Sequence, residues 1–124
     1  MAKPRATIAV VDDDAGVRTA LQQLLRSAGF DAIAFESAEA FLASGKRSDI
    51  HCLVADINLP GMSGVALAQT LVANGGVTRV VLITGRDDAH TLALIDRAGG
   101  LPLLRKPFSD QELFAAIDAP NDRP

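Results

Sequence analysis

Four short stretches of the sequence carry side chains suited to chemistry, and each follows an apolar, strand-like run. The first is an acidic triplet, Asp12-Asp13-Asp14, and the second is a single acid, Asp56. The third is Thr84, followed by a glycine, and the fourth is the pair Lys106-Pro107. Carboxylates, a hydroxyl and a cationic amine are therefore spaced along the chain at the ends of candidate strands.

Brought together, these groups would suit a magnesium site and phosphoryl transfer. Carboxylates in close contact raise one another's pKa unless a cation joins them, and hard oxygen ligands suit Mg²⁺. An aspartate is a competent nucleophile for phosphoryl transfer, which depends mainly on positioning and electrostatic stabilisation. On this hypothesis Asp56 is the nucleophile, and Asp12 and Asp13 hold the metal. Lys106 clamps the phosphate and Thr84 supplies a hydroxyl donor.

Each of these residues also has a simpler interpretation. The acids at 12–14 would favour the dipole at the start of a helix, which is the role that Asp14 fits best. Asp56 alone would be a turn-starting acid, and Lys106 alone a surface lysine. Arg86 either reaches the phosphoryl oxygens or is simply exposed. We favour a site because the acids, Thr84 and Lys106 fall in register at neighbouring strand ends.

The apolar pattern predicts five strands alternating with five helices. The predicted strands are 7–11, 32–34, 51–55, 79–83 and 101–104. The predicted helix caps are Asp14, Ser37, Ser63, Asp87 or Asp88, and Ser109, the last within a capping box that ends at Glu112. The fourth helix carries Leu92 and Ile95. The predicted helix ends are Gly29, Gly45, the 74–76 segment, Gly99-Gly100 and Pro120.

This alternation, with near-continuous apolar strands, predicts an α/β fold in which helices cover both faces of a doubly wound parallel sheet. Pro102 cannot donate to a strand ladder, so the fifth strand is expected at an edge of the sheet. The flavodoxin-like order 2-1-3-4-5 places it there. Ligands bind such sheets at the carboxyl ends of the strands, where the strand order reverses, which here lies between strands one and three.

Length and composition predict a single domain. The chain has 124 residues and 48% apolar content, enough to bury roughly two-thirds of its unfolded surface. We expect one domain over 1–124, with a core at about 7–118 and a tail at 119–124. The lone Cys52 falls in a predicted core strand and is interpreted as a buried small hydrophobe, which fits a reducing cytoplasm.

Charge and hydropathy argue against two classes of partner. The net charge is −3, Trp and Tyr are absent, and Lys46-Arg47 is an isolated basic doublet in a predicted loop, so no nucleic-acid surface is expected. No apolar run is long enough to cross a bilayer. The run from Ile8 to Val11, after a basic start, is too short for a signal peptide. We therefore expect a cytoplasmic protein without a membrane partner.

The sequence resembles the receiver domain of the two-component response regulator family, from Ile8 to about Ile117. The residues that carry the resemblance are VVDDD (10–14), VADINLPGMSG (54–64), VLITGR (81–86) and LLRKPF (103–108). The segments SAEAFL (37–42), LPGMSG and ITG are similar to receivers of the nitrogen-fixation regulator branch. The resemblance implies a stand-alone receiver, or one cut from a longer protein.

The resemblance implies specific roles at the metal and phosphate sites. Asp56 matches the phosphoacceptor, Asp13 the direct Mg²⁺ ligand, and Asp12 the ligand that acts largely through water. Asn58 matches the position whose backbone carbonyl binds the metal. Asn58 and Arg86 flank the path of an attacking water, so they are candidates for setting the lifetime of the phosphate.

Four further positions fall in the switch region, and one of them departs from the family pattern. Thr84 matches the switch hydroxyl, and Lys106 matches the family's lysine. Pro107 follows that lysine in a peptide bond that is typically cis in the family. Leu103 stands where receivers usually carry Tyr or Phe. A leucine has no ring to fill the pocket that opens when the threonine moves, so the resemblance does not carry that coupling over.

The resemblance implies a signalling switch rather than an enzyme with a separate substrate. A histidine kinase or a histidine phosphotransfer protein supplies the phosphoryl group, and the chain catalyses only its own phosphorylation and dephosphorylation. The added charge shifts the face made by the fourth helix, the fifth strand and the fifth helix. That face is expected to contact a downstream protein or a second copy of the chain. It carries Leu94, Leu101 and Leu103 beside His90 and Arg97.

Two alternatives come from other functional classes. The first is a pseudo-receiver, a protein-binding module whose partner does not depend on phosphate, and Leu103 is its support. The second is a phosphatase of the haloacid-dehalogenase kind, with Asp12 as nucleophile and Asp14 as the second acid. The threonine that should follow is missing, and no cap domain is present, so we favour the switch.

Overall fold

In the computed structural model, the described residues are 6–46, 49–73 and 79–118. Five strands alternate with five helices over these ranges. The strands are β1 (Thr7–Val11), β2 (Asp31–Phe35), β3 (Cys52–Asp56), β4 (Arg79–Thr84) and β5 (Leu103–Arg105). The helices are α1 (Ala15–Ser27), α2 (Ala38–Ala43), α3 (Gly64–Ala73), α4 (Ala89–Arg97) and α5 (Asp110–Asp118).

The strands form one parallel sheet in the order β2-β1-β3-β4-β5. The predicted doubly wound α/β fold and its strand order are therefore confirmed. Asp56 at the end of β3 lies beside Ile83, and Thr84 at the end of β4 lies beside Arg105. This register brings the chemically active strand ends to one edge of the sheet.

Helices cover both faces of the sheet, as predicted. On one face, α2, α3 and α4 pack on the strands through Phe41, Leu67, Leu71 and Leu94. On the other face, α1 and α5 pack through Leu21, Leu25, Leu113 and Ile117. Cys52 is buried in the second cluster, and this burial raises the pKa of its thiol to about 12. Among the described residues, no helix is long and apolar enough to span a bilayer.

The fifth strand begins later than predicted. The expected strand was 101–104 with Pro102 inside it, whereas β5 begins at Leu103. The carbonyl of Pro102 still accepts the N–H of Leu82 at 2.8 Å, so the proline joins the sheet through the one polar backbone group that it has. The edge position of β5 is confirmed, but the argument from a proline within the strand is wrong.

Short polar caps begin most of the helices where the sequence predicts them. Asp14 accepts the N–H of Val17 at 3.1 Å, and Ser37 accepts that of Ala40 at 3.0 Å. Ser63 accepts the N–H of Ala66 at 3.0 Å. Ser109 and Glu112 exchange both hydrogen bonds of a capping box. The predicted ends at 74–76 and Pro120, the tail at 119–124 and Arg47 of the basic doublet lie outside the described residues.

Candidate functional site

The carboxyl ends of the strands enclose a cleft of about 300 Å³. Its lining consists of Asp12, Asp13, Asp14, Asp56, Asn58, Gly85, Arg86 and Lys106. The structure therefore brings together the acids and the lysine that the sequence predicts to meet. Thr84 is not part of this lining, because its side chain is fully buried behind the cleft.

Three carboxylates crowd one side of the cleft. One oxygen from each of Asp12, Asp13 and Asp56 lies within 4.8 Å of the others. Asp12 is buried, and its Oδ1 accepts the N–H of Asp14 at 2.9 Å. Burial raises the pKa of Asp12 and the charge of Asp56 raises it further, whereas the Asp14 N–H and Lys106 lower it. Burial first, and then the crowding that the sequence predicts, therefore disfavour the charged form of Asp12.

One oxygen of this cluster has no hydrogen-bond partner among the described residues. Oδ2 of Asp12 is buried without a donor, which costs free energy in a folded protein. An ionised carboxylate accepts hydrogen bonds but donates none, so the three acids cannot form hydrogen bonds with one another while all are ionised. A small divalent cation with oxygen ligands would relieve both the repulsion and the unpaired oxygen. These residues therefore fit Mg²⁺.

Lys106 is the cation that the structure places among these acids. Its Nζ lies 3.5 Å from Oδ2 of Asp56 and 3.8 Å from Oδ2 of Asp12. Its backbone N–H donates to the carbonyl of Thr84 at 2.7 Å, which anchors the residue beside β4. The peptide bond to Pro107 is cis, as the resemblance implies. One amine faces three carboxylates, so the cleft keeps an excess of negative charge.

The carboxylate of Asp56 is held by the turn that follows it. Its Oδ1 accepts the N–H of Asn58 at 2.8 Å. The N–H of Gly64 donates to the carbonyl of Ile57 at 3.1 Å, which brings the start of α3 against this turn. A Cβ at Gly64 would lie 2.2 Å from the backbone oxygen of Asp56. The close approach of α3 to the backbone of Asp56 therefore requires glycine at this position.

The hydroxyl of Thr84 takes part in a network on the α4 side. It accepts the N–H of Arg86 at 3.1 Å and faces the Arg86 carbonyl at 3.3 Å and Oδ1 of Asn58 at 3.4 Å. Nδ2 of Asn58 in turn donates to Thr91 at 2.9 Å. Within the described ranges, the hydrogen bonds of this hydroxyl do not include Asp56.

Thr91 and Asp88 are residues of this network whose role the sequence analysis missed. Thr91 is fully buried and donates a short hydrogen bond to Oδ1 of Asp88. The sequence predicts Asp87 or Asp88 as the cap of α4, and Asp88 does occupy the N-cap position, but without a side-chain capping hydrogen bond. The signal in the sequence was the three-residue spacing of the acid and the threonine across the first turn of a helix.

Arg86 pairs with Asp88 at 3.2 Å, and their side chains are 60% and 44% exposed. The sequence leaves two alternatives for Arg86, a contact with the phosphoryl oxygens or simple exposure to solvent. In this structure its guanidinium is exposed. The residue nevertheless lines the cleft. An exposed pair of this kind contributes at most about 1 kcal/mol.

The predicted docking face is partly wrong. Leu94 is buried against α3 and the sheet rather than exposed, and Leu92 is instead 48% exposed. Leu101 and Leu103 are half-buried and pack against the same core cluster. His90 and Arg97 are exposed, in agreement with the sequence analysis. Burial of Thr91 explains the error, since this polar residue occupies a core position of α4.

A larger cleft of about 400 Å³ lies at the amino ends of β1 and β2. Its lining includes the cations Arg26 and Lys46 and the acids Asp31 and Asp49. Arg26 donates to the carbonyl of Ala32 at 2.9 Å, so its guanidinium covers the open edge of β2. This mixture of opposite charges does not converge on one type of ligand, unlike the acidic cleft.

Residues 8–118 match the protein family described as the response regulator receiver domain. Nodulation protein W of Bradyrhizobium diazoefficiens is 36% identical over 122 residues, which are 98% of this chain and 54% of that protein. Transcriptional regulatory protein FixJ of Azorhizobium caulinodans is 38% identical over 89% of this chain and 52% of that protein. The crystal structure of FixJ-N aligns with a TM-score of 0.76 and 34% identity, covering 93% of this chain and 92% of that one. The chain spans about half the length of the curated relatives that it matches.

Proposed function

Because this chain belongs to the response regulator receiver domain family, in its FixJ-like branch, we propose that Asp56 is the residue that accepts the phosphoryl group. Receiver domains are signalling switches of two-component systems, and the fold and acidic cleft of this chain fit that role. The observation that carries the proposal is the arrangement around Asp56. Its carboxylate lies 3.5 Å from Lys106 and within 4.8 Å of two further acids.

In the proposed reaction, a carboxylate oxygen of Asp56 attacks the phosphorus of the donor. A new O–P bond forms, and the bond from phosphorus to the leaving group breaks with its electron pair on the leaving group. The N–H of Asn58 orients the carboxylate at 2.8 Å, and Lys106 faces the incoming negative charge. In the separate dephosphorylation step, water attacks the phosphorus, the O–P bond to Asp56 breaks with its electron pair on the carboxylate, and inorganic phosphate is released.

The proposed metal ligands are Asp13, Asp56 and the backbone carbonyl of Asn58, with Asp12 acting largely through water. When bound, Mg²⁺ would neutralise the crowded carboxylates and the oxygens of the phosphoryl group. The buried, unpaired oxygen of Asp12 supports this assignment. Asp14 caps α1 and is left out of the ligand set.

The donor is proposed to be a histidine kinase or a histidine phosphotransfer protein, acting in the cytoplasm. The domain is proposed to be a single receiver with its core at about 7–118. Its readout face is α4, β5 and α5, which binds a downstream protein or a second copy of the chain. The chain acts on no substrate other than its own Asp56. The proposed readout face of α4, β5 and α5 includes the exposed Leu92, whereas Leu94 is buried and is left out of it.

Intact mass measured after incubation with acetyl phosphate tests the proposal. The wild type is expected to gain one phosphoryl group when Mg²⁺ is present, and Asp56→Asn is expected to gain none. Asp14→Asn is the matched control, because it removes a charge from the same cleft and keeps a residue that caps helices. Its uptake should match the wild type. Uptake by Asp56→Asn would contradict the assignment.

Two alternatives remain as outcomes of this test. A folded protein that takes no phosphoryl group from acetyl phosphate or from a histidine kinase would be a pseudo-receiver, the reading that Leu103 favours. A phosphatase would need Asp12 as its nucleophile. Asp12 is 1% exposed, so this carboxylate is poorly placed to attack a substrate.

A further inference from the structure

Five residues beside the acidic cleft close a ring of hydrogen bonds, which we name the hydroxyl–amide ring. It joins the turn after β3, the end of β4 and the first turn of α4. Its members, in order of contact, are Thr84, Asn58, Thr91, Asp88 and Arg86. Three of the contacts are between side chains of different segments, so the ring connects the cleft to α4.

The direction of the hydrogen bonds in the ring follows from Asp88. The hydrogen bond from Thr91 is the main reason that the pKa of Asp88 is lowered, so the carboxylate is ionised near neutral pH and only accepts. The single proton of the Thr91 hydroxyl is therefore committed to Asp88. The oxygen of Thr91 must then accept from the amide nitrogen of Asn58, as the 2.9 Å contact shows.

This direction decides which end of the Asn58 amide faces Thr84. With Nδ2 committed to Thr91, the amide presents Oδ1 to the Thr84 hydroxyl, at 3.4 Å. Thr84 has one proton, and its acceptors are this oxygen and the Arg86 carbonyl, both within the ring. The resting position of the Thr84 hydroxyl is therefore defined by the ring rather than by the cleft.

The members of the ring differ in burial. Thr91 is fully buried, where the low local dielectric strengthens its hydrogen bonds and makes a lost partner costly. The pair of Arg86 and Asp88 is exposed to water and contributes little. Thr91 is therefore the member on which the geometry of the ring depends most.

We propose that Thr91 is a positioning residue that orients the Asn58 amide, holds the Thr84 hydroxyl in its resting place and couples the phosphorylation site to the first turn of α4. The coupling rests on the proposed function, whereas the orientation of the amide does not. This connection runs through side chains of α4 and does not pass through Leu103. It gives the chain a route from Asp56 to its readout face that needs no aromatic residue in β5.

The orientation is tested on the resting protein by NMR, without phosphate or metal. In Thr91→Val the side-chain amide resonances of Asn58 and the backbone amide resonance of Arg86 should shift, because Asn58 loses its acceptor. Thr91→Ser keeps the hydroxyl and should retain the wild-type positions. Thr70→Val is the matched control, since it removes a threonine hydroxyl that, among the described residues, donates within α3 to the carbonyl of Ala66. Unchanged Asn58 and Arg86 resonances in Thr91→Val would overturn the inference.

A second variant covers the case in which Thr91→Val does not fold. Asp88→Ala removes the acceptor of the Thr91 proton by a change at an exposed position, so no buried side chain is replaced. Thr91 can then turn its proton elsewhere, and the Asn58 amide should shift in the same way. If the Asn58 resonances of Asp88→Ala matched those of the wild type, the proposed donor-to-acceptor direction of the hydrogen bonds in the ring would be contradicted.

The coupling is tested with acetyl phosphate and Mg²⁺. In the wild type, phosphorylation should shift the backbone amide resonances of the first turn of α4, Ala89 to Leu92. In Thr91→Val these shifts should be largely lost although Asp56 still takes the phosphoryl group, and Thr91→Ser should restore them. Equal α4 shifts in Thr91→Val and the wild type would overturn the coupling. If the wild type takes no phosphoryl group, the proposed function fails, and the resting-state measurement alone decides the orientation.

Discussion

Two polar regions lie side by side at the carboxyl edge of the sheet, and they differ in how their polar atoms are satisfied. In the acidic cleft, three carboxylates face one lysine, and a buried oxygen of Asp12 has no donor. In the hydroxyl–amide ring, Thr91 and Asn58 both have side-chain partners. A region with unpaired charge is prepared to bind a ligand, whereas a fully paired region is suited to hold a position.

The two regions share one turn of the chain. Asp56 belongs to the cleft and Asn58 to the ring, and the N–H of Asn58 donates to the Asp56 carboxylate. On the proposed coupling, a displacement of the Asp56 carboxylate would reach the ring through this hydrogen bond and the backbone of the turn. This shared turn explains how a site for charge and a network for position can act as one switch.

The largest expected effect comes from moving the shared turn itself. In Gly64→Ala the new Cβ would meet the backbone of Asp56 at 2.2 Å, and backbone atoms cannot yield cheaply. We expect a loss of about 3 kcal/mol in the free energy of unfolding, measured with urea, and loss of most phosphoryl uptake. Both regions should be disturbed together.

Gly16→Ala is the matched control for this substitution. Its Cβ would lie 3.2 Å from Oδ1 of Asp14, which needs to shift by only a few tenths of an ångström and can keep its capping hydrogen bond, and alanine favours a helix by up to about 1 kcal/mol. Its stability should equal or exceed that of the wild type. Equal stability of Gly64→Ala and the wild type would show that α3 does not constrain the acceptor.

The second-largest expected effect is the pH-dependent change in the free energy of unfolding when Asp12 is replaced. Its sign is opposite to the one expected for replacing Asp88 in the ring. The folded-state pKa of Asp12 is raised, so ionising this group costs stability as pH rises from the unfolded value of 3.8 through the folded pKa. Without Mg²⁺, Asp12→Asn should therefore be more stable than the wild type at neutral pH, by about 1–3 kcal/mol. The advantage should disappear below pH 3.8, in urea unfolding measured across pH. If Asp12→Asn were less stable than the wild type at neutral pH, the raised pKa of Asp12 in the folded protein would be contradicted.

Magnesium should stabilise the folded protein through the carboxylates of the cleft, and this stabilisation should not depend on the carboxylate of Asp88 in the ring. At ten times its dissociation constant, a ligand that binds only the folded state adds about 1.4 kcal/mol. Thermal unfolding of the wild type should shift upward with Mg²⁺, and Asp13→Asn should lose this shift. Asp88→Asn, in the ring, should keep it. A magnesium shift retained by Asp13→Asn would remove this residue from the ligand set.

The smallest effect is the pH dependence of the ring. The pKa of Asp88 is lowered, first by the hydrogen bond from Thr91, so its contribution is present above the unfolded value of 3.8. That contribution is lost as pH falls through the folded pKa. Asp88→Asn should therefore be slightly less stable than the wild type at neutral pH and equal to it in strong acid. Urea unfolding across pH, as used for Asp12→Asn, would measure this difference in the free energy of unfolding. If Asp88→Asn were more stable than the wild type at neutral pH, the stabilising hydrogen bond from Thr91 to Asp88 would be contradicted.

The strand ends could be predicted from the sequence because each apolar run stops at a polar residue. Asp56 and Thr84 mark the ends of β3 and β4, and the parallel topology then requires that they meet at one edge. Lys106 follows β5 for the same reason. The acidic cleft is therefore a consequence of local patterns combined with the rules of parallel sheets.

The ring could not be predicted in the same way. Asn58 and Thr91 are 33 positions apart, and their contact depends on how α4 is rotated against the sheet. That rotation also buries Leu94 and exposes Leu92, the reverse of the sequence prediction. A polar threonine at a core position breaks the apolar periodicity of a nine-residue helix, so the pattern alone does not define its buried face.

The central claim is that the crowded cleft exists to phosphorylate Asp56. The most direct test is to load the protein with acetyl phosphate and Mg²⁺, reduce any acyl phosphate with borohydride, and map the reduced residue by peptide mass. Conversion of Asp56 to homoserine, with Asp12, Asp13 and Asp14 unchanged, is the predicted result. Reduction at one of those three acids, or at none of the four, would contradict the account.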